Sequence, residues 1–292
     1  MPTIVHGSDL HFGKPFRPEA AGAFRRAVDD LGPDLLVLSG DLTQRAKVRE
    51  YEEARAFLRD LPDVPVVVTP GNHDVPLYRV WERILAPLRN YRRYVHHELD
   101  TVTRVAGATV VSLNSTAPFR AIVNGRIRDR QLRFAADAFR NAPDGDARIL
   151  VAHHHLAPAP DYESDQLLPG YQRCLDAFVE MEVDLILGGH LHRWFVANSL
   201  DVRRGADGEG GIVIAHSGTT TSWRGRARER LGNSFNLVRV AAEHLEITRH
   251  MYVEEMNGFA PFSSHVFPRR GKRFLGAVLR PGKPASGDGG NP

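Results

Sequence analysis

Over the first 190 or so residues the apolar positions repeat one rhythm: a short continuous apolar run, a polar turn, then apolar residues at helical spacing. Thr3–Ser8 reads as a strand ending at Asp9. Pro18, a favoured first-turn residue, opens a helix that places Phe24, Ala27, Val28 and Leu31 on one face. Leu35–Ser39 is the next strand and runs into Gly40-Asp41. A helix over Lys47–Leu61 buries Tyr51, Ala54, Phe57, Leu58 and Leu61, and Val64–Thr69 is a strand closed by Pro70-Gly71-Asn72. Val102–Val105 and Thr109–Leu113, joined across Ala106-Gly107, form a hairpin. Asp129 is placed to cap a helix ending near Arg140. Ile149–Ala152 and Leu185–Leu187 are buried strands on either side of a helix near Tyr171–Met181.

After His192 the pattern turns to strands alone: Ile212–Ala215, Phe235–Val240 and Leu245–Val253. In the last, Leu245, Ile247, Met251 and Val253 share one face by period-two alternation. Alternating strands and helices followed by a strand-only part predict a single mixed α/β domain over residues 1–267, two packed sheets flanked by helices. The remainder, 268–292, is basic, rich in Gly and Pro and poor in apolar residues, which predicts a partly disordered tail.

Composition narrows the setting. Hydrophobic residues make up 42% of the chain and charged residues 25%, an ordinary globular balance with a sizeable core. The net charge of +3 divides unevenly. From Pro268 onward six basic residues stand against Asp288, a surplus of five, which leaves the preceding body at −2. A slightly acidic body argues against a nucleic-acid partner and for a small substrate. The lone Cys174 shares helical spacing with Phe178 and Met181 and reads as an inert core residue. With no secretory signal at the start and no apolar stretch near the ~20 residues a bilayer demands, a cytoplasmic protein without a membrane span is expected.

The polar residues that carry chemistry all follow strand ends: Asp9-Leu10-His11, Gly40-Asp41, Gly71-Asn72-His73-Asp74, His153, and Gly189-His190-Leu191-His192. In open α/β sheets that edge is where ligands gather, so the five turns can converge on one point. Asp-x-His arises by composition about once in such a chain and His-x-His about 0.7 times, so neither carries weight alone. Gly-Asn-His-Asp is expected only about 0.003 times, and its place among the other pieces decides the matter. Carboxylate, carboxamide and imidazole ligands without thiolate suit Mn, Fe, Zn or Co over a structural zinc. Two such ions ~3.5–4 Å apart need a bridging anion, and Asp41 on the middle strand is the candidate. Two metals, two aspartates and a bridging hydroxide leave a net charge of about +1 to receive a phosphate ester.

This ordered set resembles that of the calcineurin-like metallophosphoesterase superfamily over about residues 3–220. The resemblance implies a four-layer αββα sandwich of two mixed β-sheets flanked by helices. It also implies two metal ions, one taking Asp9, His11, Asp41 and His192, the other Asp41, Asn72, His153 and His190. His73 would stand beside the substrate as electrostatic stabiliser or proton donor to the leaving oxygen. Within the superfamily the chain is most similar to class III cyclic-nucleotide phosphodiesterases, through Gly40-Asp41-Leu42-Thr43 and His153-His154-His155, and departs from them at Leu156, where proline is common. Purple acid phosphatases carry tyrosine where this chain has Gln44. The lipid-pathway UDP-diacylglucosamine pyrophosphatases carry arginine where it has His73.

The implied activity is hydrolysis of a small phosphodiester by a bridging hydroxide, a 3',5'-cyclic nucleotide being one candidate. A broad-specificity phosphomonoesterase or a nucleotide or lipid pyrophosphatase is the alternative, ahead of a nuclease and of an inactive scaffold, which would have shed ligands. Around the centre, Arg193 beside His192 is the leading candidate for substrate contact. The run Thr219–Arg226, with Thr219 and Arg224, could hold a phosphate or base through hydroxyls and guanidinium groups. His154 and His155 are expected to support His153, His216 to lie buried behind the ligands, and His96-His97 to be exposed.

Overall fold

The computed structural model describes residues 1–119, 123–159, 166–202, 211–226, 229–230 and 232–269. Apolar runs without alternation become strands buried on both faces. β1 (Thr3–Gly7), β2 (Leu35–Leu38) and β3 (Val66–Val68) lie parallel. β10 (Ser234–Val240), β11 (His244–Val253) and β12 (Gly258–Pro268) extend that sheet antiparallel, in the order β12-β11-β10-β1-β2-β3. The second sheet runs β4 (Thr101–Val105), β5 (Ala108–Ser112), β6 (Ala147–Val151), β7 (Leu185–Gly188), β9 (Val213–His216), β8 (Phe195–Asn198). Its four central strands are parallel and its two edges antiparallel.

Three apolar layers fix the stacking. Ile4, Val37, Ile149, Leu187, Val238 and Ile247 fill the space between the sheets. Helices α1 (Pro18–Leu31) and α2 (Val48–Arg59) cover the outer face of the first sheet through Phe24, Val28, Tyr51 and Ala54. Helices α5 (Asp129–Arg140) and α6 (Tyr171–Glu180) cover the second through Phe139, Leu175 and Phe178, with Cys174 buried among them. The result is the expected four-layer αββα sandwich. Its consequence for function is simple: β1, β2 and β3 of one sheet and β5, β6, β7 and β9 of the other release their C-terminal loops at one shared rim.

Several local expectations need correction. Asp129 is the first helical residue of α5, and the Gln131 side chain accepts the Arg128 N–H at 3.0 Å in its place. Two short helices, α3 (Val80–Leu85) and α4 (Arg89–Tyr94), and the edge strands β8 and β12 carry no clear apolar period and were not anticipated. Of the expected tail, Pro268 ends β12 and Arg269 packs inward, while residues 270–292 lie outside the described residues. No described helix is long and apolar enough to cross a membrane.

Arg269 joins the two sheets at the end opposite the rim. Its guanidinium reaches the buried Asp184 carboxylate at 3.3 Å and the carbonyls of Asp146 at 3.1 Å and Ala241 at 3.3 Å. Removing one partner of a shielded ion pair leaves the other charge poorly solvated. Arg269→Ala should therefore lower unfolding free energy by about 2–4 kcal/mol in urea titrations, with the slope of the transition unchanged.

Candidate metal centre

The centre is built where the parallel strands stop. At the rim the backbone turns sharply, and five of the predicted ligands sit in the left-handed region: Asp9 (φ 55°), His11 (51°), Asp41 (51°), His190 (74°) and His192 (54°). Each such non-glycine residue costs about 1–2 kcal/mol. In Asp9-Leu10-His11 and His190-Leu191-His192 this geometry buries the intervening leucine, Leu10 and Leu191, and turns both flanking side chains to the centre. Two glycines are required by close approach. A Cβ at Gly40 would overlap the His153 ring, and one at Gly71 would overlap the Asp41 carboxylate.

The strained turns are held by a dense set of bonds. Asp9 N–H donates to Gly40 O and His11 N–H to Asp41 O, each at 3.0 Å. From the second sheet's side, Thr219 Oγ1 donates to Asp9 O at 3.1 Å, Ser222 Oγ to Asp9 O at 3.3 Å and Thr221 Oγ1 to Leu10 O at 3.0 Å. Thr220 Oγ1 accepts the Ser8 N–H at 2.9 Å. All four hydroxyl residues are buried. The Asp74 carboxylate is the matching tie on the other side, accepting from Leu42 N–H, Thr43 N–H, Thr43 Oγ1 and Gly71 N–H at 2.9–3.1 Å.

Seven side chains converge. Ligand atoms of Asp9, His11, Asp41 and His192 all lie within 4.8 Å of one another, fully out of solvent. His11 Nε2 is 2.9 Å from His192 Nε2, and His192 Nε2 is 3.1 Å from Asp9 Oδ1. Beside them, Asn72 Oδ1 is 2.8 Å from His190 Nδ1 and 3.2 Å from His153 Nε2. One oxygen belongs to both groups: Asp41 Oδ2 lies 3.8 Å from His11 Nε2 and 3.4 Å from His153 Nε2. The other, Asp41 Oδ1, accepts the His73 N–H at 2.8 Å. His153 Nδ1 donates to Ser39 O at 2.8 Å, which leaves Nε2 to face the centre.

Burial shapes the protonation states. It works to raise the Asp9 and Asp41 carboxyls, but the charges of His192 and His153 respectively outweigh it and hold both well below the usual carboxylate range. Burial pushes His11 down to about 4, and burial with the neighbouring histidines holds His190 well below its ordinary value. His153 is the exception: burial lowers it, yet the Asp41 carboxylate raises it to about 9. Ionised carboxylates and neutral imidazoles are the forms a cation binds. Neither Asp9 Oδ1 nor Asp41 Oδ2 has a hydrogen bond of good geometry among the described residues. Buried acceptor lone pairs facing one another in this way fit a cation, and the residues present suit the metals the family implies.

The remaining candidates fall in different places. His73 Nδ1 donates to Gln44 O at 2.9 Å, and its ring stands edge-on to His11 with centroids 4.9 Å apart. Arg224 donates to Gln44 Oε1 at 3.1 Å and feels the charges of Asp41 and Asp9. Gln44 thus orients two groups at the centre, a role no residue pattern signalled. Thr219 is fully buried and its hydroxyl is engaged beneath the Asp9 loop, so it does not present itself to a substrate. Arg193 lines a separate cavity of about 630 Å³ with Trp194, Arg249 and Phe262, which none of the seven converging residues lines. His154 pairs with Ser115 Oγ, His155 stacks on His190, and His216 is buried with Nδ1 donating to Gly189 O. His96 and His97 are exposed.

Fold and site together define a class, and comparison with known proteins gives its name. A model of the calcineurin-like phosphoesterase family matches residues 2–194. The chain belongs to that family, one of metal-dependent phosphoesterases. It is similar to a probable cyclic nucleotide phosphodiesterase of Synechococcus sp., 29% identical over 205 residues that span 66% of this chain and 74% of that one. It is also similar to a probable cyclic nucleotide phosphodiesterase of Rhodococcus erythropolis, 30% identical over 202 residues, 65% of this chain and 64% of that one. In fold it is similar to a purple acid phosphatase from yellow lupin seeds, with a TM-score of 0.68 at 13% identity over 92% of this chain and 54% of that one. The chain thus spans less than two thirds of the Rhodococcus protein and about half of the lupin phosphatase.

The Asp74 tie can be tested without touching the centre. In Asp74→Asn one acceptor oxygen becomes a donor facing two donors. The variant should lose about 2–4 kcal/mol of stability in denaturant titrations, with a reduced metal content after gel filtration. Unchanged stability would show that the two loops hold their places without it.

Proposed function

We propose that the chain hydrolyses a small phosphodiester at two metal ions that share Asp41. One ion would be held by Asp9, His11, Asp41 and His192, the other by Asp41, Asn72, His153 and His190. The observation that carries this reading is the single Asp41 oxygen common to both clusters, 3.8 Å from His11 Nε2 and 3.4 Å from His153 Nε2. When bound, such ions supply Lewis acidity toward phosphoryl oxygens and make a water nucleophilic near neutral pH.

The chain's own residues would do the rest. Gln44 fixes His73 with Nδ1–H on a carbonyl, so that a protonated ring offers Nε2–H to the leaving oxygen or to developing phosphoryl charge. Arg224, tethered by the same residue, adds a positive charge beside the phosphate. The two similar proteins named above as probable cyclic nucleotide phosphodiesterases support a diester, and among diesters a cyclic nucleotide. Mn, Fe, Zn or Co all suit the oxygen and nitrogen donor set.

Metal stoichiometry tests the shared ligand. Asp41→Ala should lose both ions and Asn72→Ala chiefly one, measured by elemental analysis of the purified variants. Two tightly bound ions in Asp41→Ala would end the bridging assignment.

Acidity should act through His153. Below its pKa of about 9 the ring carries a proton that a metal must displace, so affinity is lost as pH falls. Apparent affinity for Mn should rise by about tenfold per unit between about pH 6 and about pH 8 in equilibrium dialysis. A flat profile would contradict the competition.

Activity completes the tests. His73→Ala should retain both metals while turnover falls ~10²–10⁴-fold. For the intact chain, kcat/KM for bis(p-nitrophenyl) phosphate should exceed that for p-nitrophenyl phosphate by at least ~10-fold. Equal or better turnover of the monoester would reassign the chain as a phosphomonoesterase.

A further inference from the structure

Beside the rim lies a surface that the hydrolytic reading does not use. Immediately after the Asn72–Asp74 turn, α3 and the residue pair before it expose Tyr78 (70%), Trp81 (77%) and Leu85 (79%), and the loop after β5 exposes Phe119 (63%) at a shallow cavity of about 360 Å³ that Pro87 and Leu88, just after α3, also line. These side chains do not reflect a loose segment. The Arg79 guanidinium holds the carbonyls of Arg45 and Ala46 at 3.1 and 2.8 Å, Arg83 holds Leu77 O at 2.7 Å, and Arg45 stacks over Tyr78 at 4.5 Å. A firmly held cluster of large exposed apolar groups of this kind marks an interaction surface.

Charge identifies the partner. Residues 77–100 carry five arginines against Glu82, Glu98 and Asp100, and the described residues 123–130 carry three against Asp129. Three of these acids are already committed, Glu82 to Arg79, Asp129 to Arg173 and Asp100 to Gln131 and the Asn114 N–H. The two segments meet at the cavity, where Arg128 and Arg130 stand beside Pro87 and Phe119. Their surplus of four positive charges sits on a body whose total is −2, so the rest of that body carries −6. A second copy of the same face would bring like charges together with, among the acids of these segments, only the exposed Glu98 to pair them. A nucleic acid would satisfy the arginines but leave Leu85 and Phe119 in water. An anionic bilayer satisfies both: aromatic and aliphatic groups enter the headgroup boundary while a basic ring meets acidic lipid.

We propose that the α3 face docks this protein onto anionic phospholipid surfaces, with the metal rim held close to the membrane plane. The docking is peripheral, and it stands independently of which ester the centre cleaves.

Vesicle sedimentation with the full chain tests it. Binding is expected to phosphatidylcholine vesicles containing about 30 mol% phosphatidylglycerol and not to phosphatidylcholine alone, weakening as salt rises from about 0.05 to about 0.3 M. Trp81→Ser/Leu85→Ser, which changes only exposed side chains and leaves the basic tail intact, should lower partitioning at least ~10-fold at unchanged melting temperature and metal content. Arg89→Glu/Arg92→Glu should do the same and flatten the salt dependence. Three results would overturn the proposal. One is no binding to the acidic vesicles, and another is equal binding by the Trp81/Leu85 variant. The third is a dimer of the intact chain, by light scattering, that this variant abolishes, which would give the face to a second copy.

Discussion

The Asp41 carboxylate is the constraint on which the rest of the structure depends. It is buried, flanked by His153, His11 and His73, and one of its oxygens lies between two clusters of nitrogen and oxygen lone pairs. Such an assembly is unfavourable without positive charge, because desolvated acceptors repel one another. A proton on His153 offsets part of that repulsion, and two cations would replace it. Gly40 and Gly71 lack side chains because a Cβ at either position would collide with His153 or with Asp41 itself. The sandwich makes the approach possible: the parallel strands of two mixed sheets end at one rim and bring the loops after β1, β2 and β3 against those after β6 and β7.

Holding this centre requires backbone that would not persist alone. Five of the seven converging residues adopt left-handed geometry. The strain is offset by hydroxyls from Thr219–Ser222 beneath the Asp9 loop and by the four-donor Asp74 carboxylate beneath the Asp41 loop. These ties are made by the protein's own groups, which is the preorganisation an electrostatic catalyst needs. Gln44 extends the same logic outward, placing His73 and Arg224 from one side chain and its carbonyl.

What could be read from the residues follows a physical rule. Strands buried on both faces, such as Leu35–Leu38 and Leu185–Gly188, announce themselves as continuous apolar runs, and the polar residues directly after them mark the rim. The converging residues were legible because each stands within a few positions of such a run. Features that depend on partners distant in sequence were not. Thr219 lies 210 positions from Asp9, whose carbonyl it bonds, so its hydroxyl looked available for substrate. Arg193 adjoins His192 in sequence, yet the turn directs it to another cavity. β12, a partly exposed edge strand interrupted by Pro261, the short α3 and the basic α4 lack the buried face that produces a period.

In the proposed reading two metal ions occupy this centre and share Asp41 as a ligand. Electron paramagnetic resonance of the intact chain loaded with Mn tests it most directly, because ions ~3.5–4 Å apart with a common ligand are magnetically coupled. The account predicts that, at full loading, the spectrum is the broad multiline signal of an exchange-coupled pair, giving way to that of isolated ions in Asp41→Ala. A fully loaded protein showing only the six-line pattern of uncoupled Mn would contradict it.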